Sequence, residues 1–100
     1  MKRDPLGQAQ IDQKLKELNA VNHGGWTVKN GKLHKEFEFE NFIDAFGFMT
    51  RVAIVAQAMD HHPDWSNSYK NVSIDLYTHS EDALTDYDFE LATQMETLSS

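Results

Sequence analysis

The sequence predicts an α+β domain in the order α-β-β-α-β-β-α, with its helices packed on one face of a small antiparallel sheet. Three observations lead there. Apolar residues recur at helical spacing in three separate segments, within Gln8–Ala20, Asn41–Asp60 and the stretch beyond Leu84. Between those segments lie stretches that alternate with a period of two. An Asn30-Gly31 pair joins the first two strands, and Asn-Gly favours a type I′ hairpin because both central residues need positive φ. One hundred residues form one domain, so all of these elements must share a single core.

Taken in order, residues 1–7 show no periodic pattern and read as a flexible tail. Gln8–Ala20 carries Ile11, Leu15 and Leu18 on one helical stripe, and Asn22-His23-Gly24-Gly25 ends it. Trp26–Lys29 and Lys32–Phe39 form the first hairpin, with Val28 opposite Leu33. Leu33, Phe37 and Phe39 then share the inner face, while His34, Glu36 and Glu38 point to water. Asn41 is the expected N-cap of a long helix running to about Asp60. Its main stripe is Phe42, Ala45, Phe46, Met49, Val52, Ala53 and Ala56, with Ile43, Ile54, Val55 and Ala58 adding apolar surface on the flanks. That surplus predicts self-association, since so small a sheet covers one stripe only.

Pro63 disfavours helical geometry at His62, so the long helix should end near the histidines. Trp65–Tyr69 reads as a short extended piece. Asn71–His79 alternates, with Val72, Ile74, Leu76 and Thr78 on one side and Ser73, Asp75, Tyr77 and His79 on the other. The last helix starts at Thr85, and its stripe Leu84, Asp88, Leu91, Met95 and Leu98 holds a carboxylate among apolar residues.

Composition removes several function classes. Nine basic against sixteen acidic residues give a net charge of −7, which opposes a nucleic-acid groove or an anionic membrane surface as partner. The absence of cysteine removes disulfides and thiolate metal sites. The opening MKRDPLGQAQ has no apolar run of the secretory type, and no uninterrupted apolar run reaches the ~18 residues of a membrane span. The expected compartment is the cytosol, or the nucleus as well.

The chemistry-bearing stretch is Met59-Asp60-His61-His62-Pro63-Asp64-Trp65. Three readings compete for it. A metal site is disfavoured because adjacent side chains diverge by ~100° on a helix, and no His-Glu-x-x-His pattern is present. In the structural reading, His61 and His62 end a helix, His79 ends a strand, and Asp88 completes a capping box with Thr85. His23 and His34 read as surface residues. In the third reading the histidines do acid–base chemistry, because imidazole titrates near neutrality, at ~6.5 when unperturbed. Expelling hydroxide from one atom and a proton from its neighbour needs one charged and one neutral group, which two divergent histidines can supply.

The segments DHHPDWSNSYKNVSIDLYTH and LTDYDFELA resemble the pterin-4a-carbinolamine dehydratases, also called dimerisation cofactors of a homeodomain transcription factor. That family has a His-His-Pro, a tyrosine several residues on, a histidine closing the next strand and a C-terminal aspartate. Here these are His61, His62, Pro63, Tyr69, His79 and Asp88, and the resemblance spans about Trp26 to Leu98. It implies helices on one side of a four-stranded antiparallel sheet, assembled as homodimers or homotetramers. It also implies loss of water from a 4a-hydroxytetrahydropterin in tetrahydrobiopterin recycling, with no metal and no redox cofactor. By carry-over His61, His62, His79 and Asp88 are the catalytic set. His61 and His79 are assigned to the 4a-hydroxyl as the acid side, and His62 to substrate binding and proton transfer. Pro63, Thr78, Ser80 and Glu81 join the histidines in lining the pterin pocket, and Trp65 reads as wall or core.

Three departures from the family pattern stand out. Gln57 replaces an acidic or other charged residue, Ala83 a frequent glycine, and Ser66 a frequent aromatic. The resemblance carries a second role from another class, a non-enzymatic oligomeric interaction protein that stabilises a transcription factor's dimer. That role would use an apolar strip on the long helix around Phe48, Arg51, Val55 and Ala58, and would not need the histidines.

Overall fold

The structure, a computed structural model, describes residues 1–100. Its elements are α1 (Gln8–Val21), β1 (Thr27–Lys29), β2 (Lys32–Glu38), α2 (Phe42–Met59), β3 (Asp64–Ser68), β4 (Asn71–Leu76) and α3 (Asp86–Leu98). The three helices and four strands come in the expected order, and the strands form one antiparallel sheet ordered β1-β2-β4-β3. Leu33 and Phe37 on β2 and Val72, Ile74 and Leu76 on β4 are buried under the helices. The alternate residues Glu36, Ser73 and Asp75 are not, as the pleat requires.

Local chemistry fixes the connections. Asn30 and Gly31 both take positive φ, 54° and 74°, and the turn sets Val28 opposite Leu33. Val28 nevertheless stays 38% exposed, because β1 is the edge strand. Asn41 caps α2, its side-chain oxygen accepting from the Asp44 N–H at 2.8 Å. Asn41→Ala should cost about 1 kcal/mol of stability, measured by urea unfolding; an unchanged midpoint would remove the cap from the account.

The buried stripe of α2 keeps Ala45, Met49, Val52 and Ala56 of the expected one but takes Phe48 in place of Phe42, Phe46 and Ala53. Ala45, Phe48, Val52 and Ala56 are buried, whereas Phe42 and Phe46 are 47% and 54% exposed. Phe48 docks between Phe37 and Phe39 with ring centroids 4.9 Å from each. A helix apolar on most sides leaves the edge of its buried stripe open, and the aromatic partners Phe37 and Phe39 set it here. Of the strip around Phe48, Arg51, Val55 and Ala58, Phe48 is fully buried, Val55 is half-buried, and Arg51, which donates to the Leu98 carbonyl at 3.1 Å, and Ala58 are exposed, so Phe48 is not part of an outer surface. The large apolar residues that α2 exposes are Phe42, Ile43, Phe46 and Ile54. By length and mean hydropathy (1.3) α2 alone among the helices matches a membrane span; its Phe48 face lies in the core.

Three further expectations need correction. Residues 1–7 are not a free tail: the Leu6 N–H donates to the Leu84 carbonyl at 2.9 Å, Leu6 packs on the core, and Arg3 reaches the end of α2. Strand β4 stops at Leu76 and His79 opens a single 3-10 turn, His79–Glu81. The reason is pairing, since the partners run out at Leu33↔Leu76 and Asp64↔Asp75. Thr85 is the N-cap of α3 rather than its first residue. Inside the core, Lys35 occupies the inner face of β2 between Leu33 and Phe37, where the sequence reading placed no charge.

Candidate active site

The site begins with the way α2 ends. Asp60 adopts the left-handed conformation (φ 52°), and its N–H and that of His61 return to the last carbonyls of the helix. Aspartate tolerates this geometry better than most residues. The reversal sends the two adjacent histidines apart. His61 turns inward and is 6% exposed, while His62 stays at the surface.

Beneath His61 lies Asp88, fully buried on α3. Its Oδ1 accepts from His61 Nε2 at 2.7 Å, and its Oδ2 accepts from Thr78 Oγ1 at 2.8 Å and from the Thr85 N–H at 2.9 Å. Thr78 has one hydroxyl proton and gives it to Asp88, so the 2.7 Å contact between the two threonines is donated by Thr85. Asp88 is thus both the capping-box acid of α3 and the group that orients His61. The structural and the acid–base readings of Asp88 describe the same hydrogen bonds.

The other two histidines are fixed in the same fashion. His62 Nε2 donates to Gln57 Oε1 at 2.9 Å, one turn back on α2, and His79 Nε2 lies 3.0 Å from Asp64 Oδ2. Each ring is held through Nε2, and each Nδ1 is without a protein hydrogen bond. That leaves three nitrogens of similar chemistry, each able to give or take a proton. Gln57 thus orients His62 without placing a charge beside it.

A cavity of about 330 Å³ joins them, within the range of small-molecule sites. Its walls are Arg3, Asp60, His61, His62, Tyr77, Thr78, His79 and Ser80. Of the expected site residues, His61, His62, Thr78, His79 and Ser80 come together here, and Asp88 stands behind His61. Pro63 and Glu81 flank the cavity without lining it, and Tyr69 is at the β3–β4 turn, 62% exposed. The Ala83 departure costs nothing, because the left-handed residue of that turn is Asp82 (φ 51°). Trp65 packs against the core.

Sequence reading missed Arg3, Asp60 and Tyr77 as wall residues. The alternation put Tyr77 on the same side as His79, and its ring meets His79 edge-on at 5.1 Å, so alternation alone could have found it. Arg3 gave no such signal. A larger groove of about 590 Å³ runs between α1 and α3, but it holds no histidine, and Lys14 there is paired with Asp86 at 3.2 Å. Volume favours that groove and proton-transfer chemistry favours the histidine cavity; the chemistry decides, because only the latter gathers several imidazoles around one space.

Comparison with known proteins agrees with this geometry. The family model for pterin 4 alpha carbinolamine dehydratase matches residues 4–98. A relative from Solibacter usitatus that bears the family's name is 47% identical over 94 residues, covering 94% of each chain. One from Chelativorans is 43% identical over 97 residues, covering 95% of this chain and 94% of its own. A crystal structure described as a transcriptional coactivator/pterin dehydratase from Brucella melitensis superposes with a TM-score of 0.88 at 33% identity, over 97% of this chain and all of that one. A pterin dehydratase-like protein identified as a RuBisCO assembly factor shares the fold, with a TM-score of 0.68 at 20% identity over 78% of this chain. With the histidine cavity intact and the family model spanning nearly its whole length, the chain belongs to the pterin 4 alpha carbinolamine dehydratase family.

Proposed function

We propose that this protein is a hydro-lyase that removes water from a 4a-hydroxytetrahydropterin, giving the quinonoid dihydropterin of tetrahydrobiopterin recycling. The observation that carries this reading is the shared anchoring of three imidazoles through Nε2 around one cavity, with Asp88 beneath His61. In the reaction the C4a–O bond breaks and the leaving hydroxide takes a proton from the acid side, His61 and His79. The N5 proton passes to a base, for which His62 is assigned. One proton is given and one taken, so the site's proton count is unchanged and a proton exchange from His62 to the acid side through solvent resets it, with no reductant or oxidant. Thr78 and Ser80 supply polar wall, and Pro63 and Glu81 shape the flanks.

The test is the decay of a chemically prepared carbinolamine, followed by ultraviolet absorbance. Micromolar protein should accelerate it, and no acceleration would overturn the reading. His62→Ala and His79→Ala should each lower turnover at least about tenfold, since a placed acid or base contributes ~10²–10⁴-fold. Turnover at the wild-type rate in both variants would remove these assignments.

A second reading is favoured by a separate observation. Phe42, Ile43, Phe46 and Ile54 leave α2 an apolar outer face, which suits a homodimer or homotetramer and also a protein partner such as a transcription factor. The coactivator description of the Brucella structure supports that role. The two readings separate cleanly: substituting Phe46 should alter assembly, while substituting His79 should alter turnover alone.

A further inference from the structure

We propose that Arg3 is a substrate-binding residue, donating hydrogen bonds from its guanidinium to the carbonyl edge of the heterocycle bound in the histidine cavity. The inference rests on the dehydratase reading and adds a specificity element to it. Arg3 is the only permanently cationic side chain in the cavity wall. Its Nη2 donates to the Asp60 carbonyl at 2.6 Å and the Met59 carbonyl at 3.3 Å, which ties it to the turn that aims the two histidines. Its guanidinium carbon sits 4.1 Å from the centre of the Tyr87 ring, and Tyr87 in turn lies against His61 at 5.6 Å. Three residues on, Leu6 pins the segment to Leu84.

A planar group held by two carbonyls and one aromatic face has a fixed orientation. A guanidinium carries five N–H donors, and the protein engages only those of Nη2. The Nη1 and Nε donors have no protein partner, although the group belongs to the wall of a cavity. Histidines that exchange protons at C4a and N5 leave the pyrimidinone end of a pterin to be recognised by something else. That end carries a carbonyl oxygen, and a charged planar donor suits it better than any other wall residue.

The alternative role for Arg3 is a fastener for the C-terminus of α2, acting on the histidines through the turn. Ligand chemistry separates the two. The wild-type chain should bind a 4-oxo dihydropterin about tenfold more tightly than the matching 2,4-diaminopteridine, which has a donor where the carbonyl was, read by fluorescence quenching. In Arg3→Met, which keeps the stem over Tyr87, that preference should collapse to below about threefold. KM for the carbinolamine should rise about tenfold with kcat within twofold, and Arg3→Lys should fall between.

Equal binding of the two probes by the wild type would overturn the proposal, even if Arg3→Met failed to fold. So would a preference that survives in Arg3→Met, or a loss of kcat at unchanged KM, which is the signature of the fastener. A wild-type chain that binds neither probe and does not speed dehydration brings down the dehydratase reading itself. A wild type that does both, with Arg3→Met matching it, brings down Arg3 alone.

Discussion

Asp88→Asn should lower kcat at least a hundredfold while leaving the fold nearly as stable as wild type. The hydrogen bonds dictate the mechanism of the loss. Two donors, Thr78 Oγ1 and the Thr85 N–H, converge on Oδ2, so the amide oxygen of asparagine must take that position. The amide nitrogen then faces His61 Nε2, where the wild-type carboxylate accepts at 2.7 Å. Two donors cannot share that contact, so the His61 proton must move to Nδ1. The imidazolium that the acid role requires would set an Nε2–H against the amide N–H with no carboxylate to balance it, so acid help worth ~10²–10⁴ is lost at that residue. Nitrogen NMR of the imidazole should show the change of tautomer directly, independent of turnover. Asp88→Ala should behave differently, stranding His61, Thr78 and Thr85 as buried donors at a cost of about 3 kcal/mol or more. An Asn variant with full turnover and an unmoved His61 proton would show that Asp88 serves only as the cap of α3.

Much of this arrangement was legible in the sequence because it depends on short-range rules. The Asn30-Gly31 turn fixes the register of the first hairpin, and the alternation from Val72 to Thr78 fixes which face of β4 is buried. Asp88 stood out as a carboxylate on an apolar stripe, and that anomaly led to the orienting group of His61. The paired histidines stood out through Pro63, which ends the helix where they begin.

What escaped depends on partners distant in sequence. The edge of the α2 stripe is not set locally, and contact with Phe37 and Phe39 buries Phe48 rather than Phe46. Arg3 lies 56 and 57 residues from the carbonyls it binds, and nothing local in MKRDPLG predicts that contact. The strand expected to reach His79 stops three residues short because its neighbours end, which no pattern within the strand itself records. A local pattern reveals which side chains share a face; which face then meets which neighbour is settled by the whole core.

Lys35→Met or Glu96→Ala, each alone, should destabilise the domain by about 3–5 kcal/mol, whereas a Lys35→Met/Glu96→Gln pair should recover a large part of that loss. Lys35 Nζ lies 2.6 Å from Glu96 Oε2 and 2.7 Å from the Gly24 carbonyl, and Trp26 Nε1 donates to the same carboxylate oxygen at 3.0 Å. Their side chains are 11% and 4% exposed, so water replaces little of what a single substitution removes. Removing Glu96 leaves an ammonium among Phe37, Trp26 and a single carbonyl; removing Lys35 leaves a carboxylate with only the indole N–H. In the double variant both charges are gone, methionine fills the space of the lysine stem, and the glutamine oxygen still accepts from Trp26. The cluster ties β2 to α3 and to the loop after α1, and α3 carries Asp88, so its failure should loosen the site from behind. Urea unfolding of the wild type, Lys35→Met, Glu96→Gln and the double variant that combines them measures the coupling as the difference between the double and the sum of those two singles. Single losses below about 1 kcal/mol that simply add would mean that the pair is solvated in solution and holds nothing together.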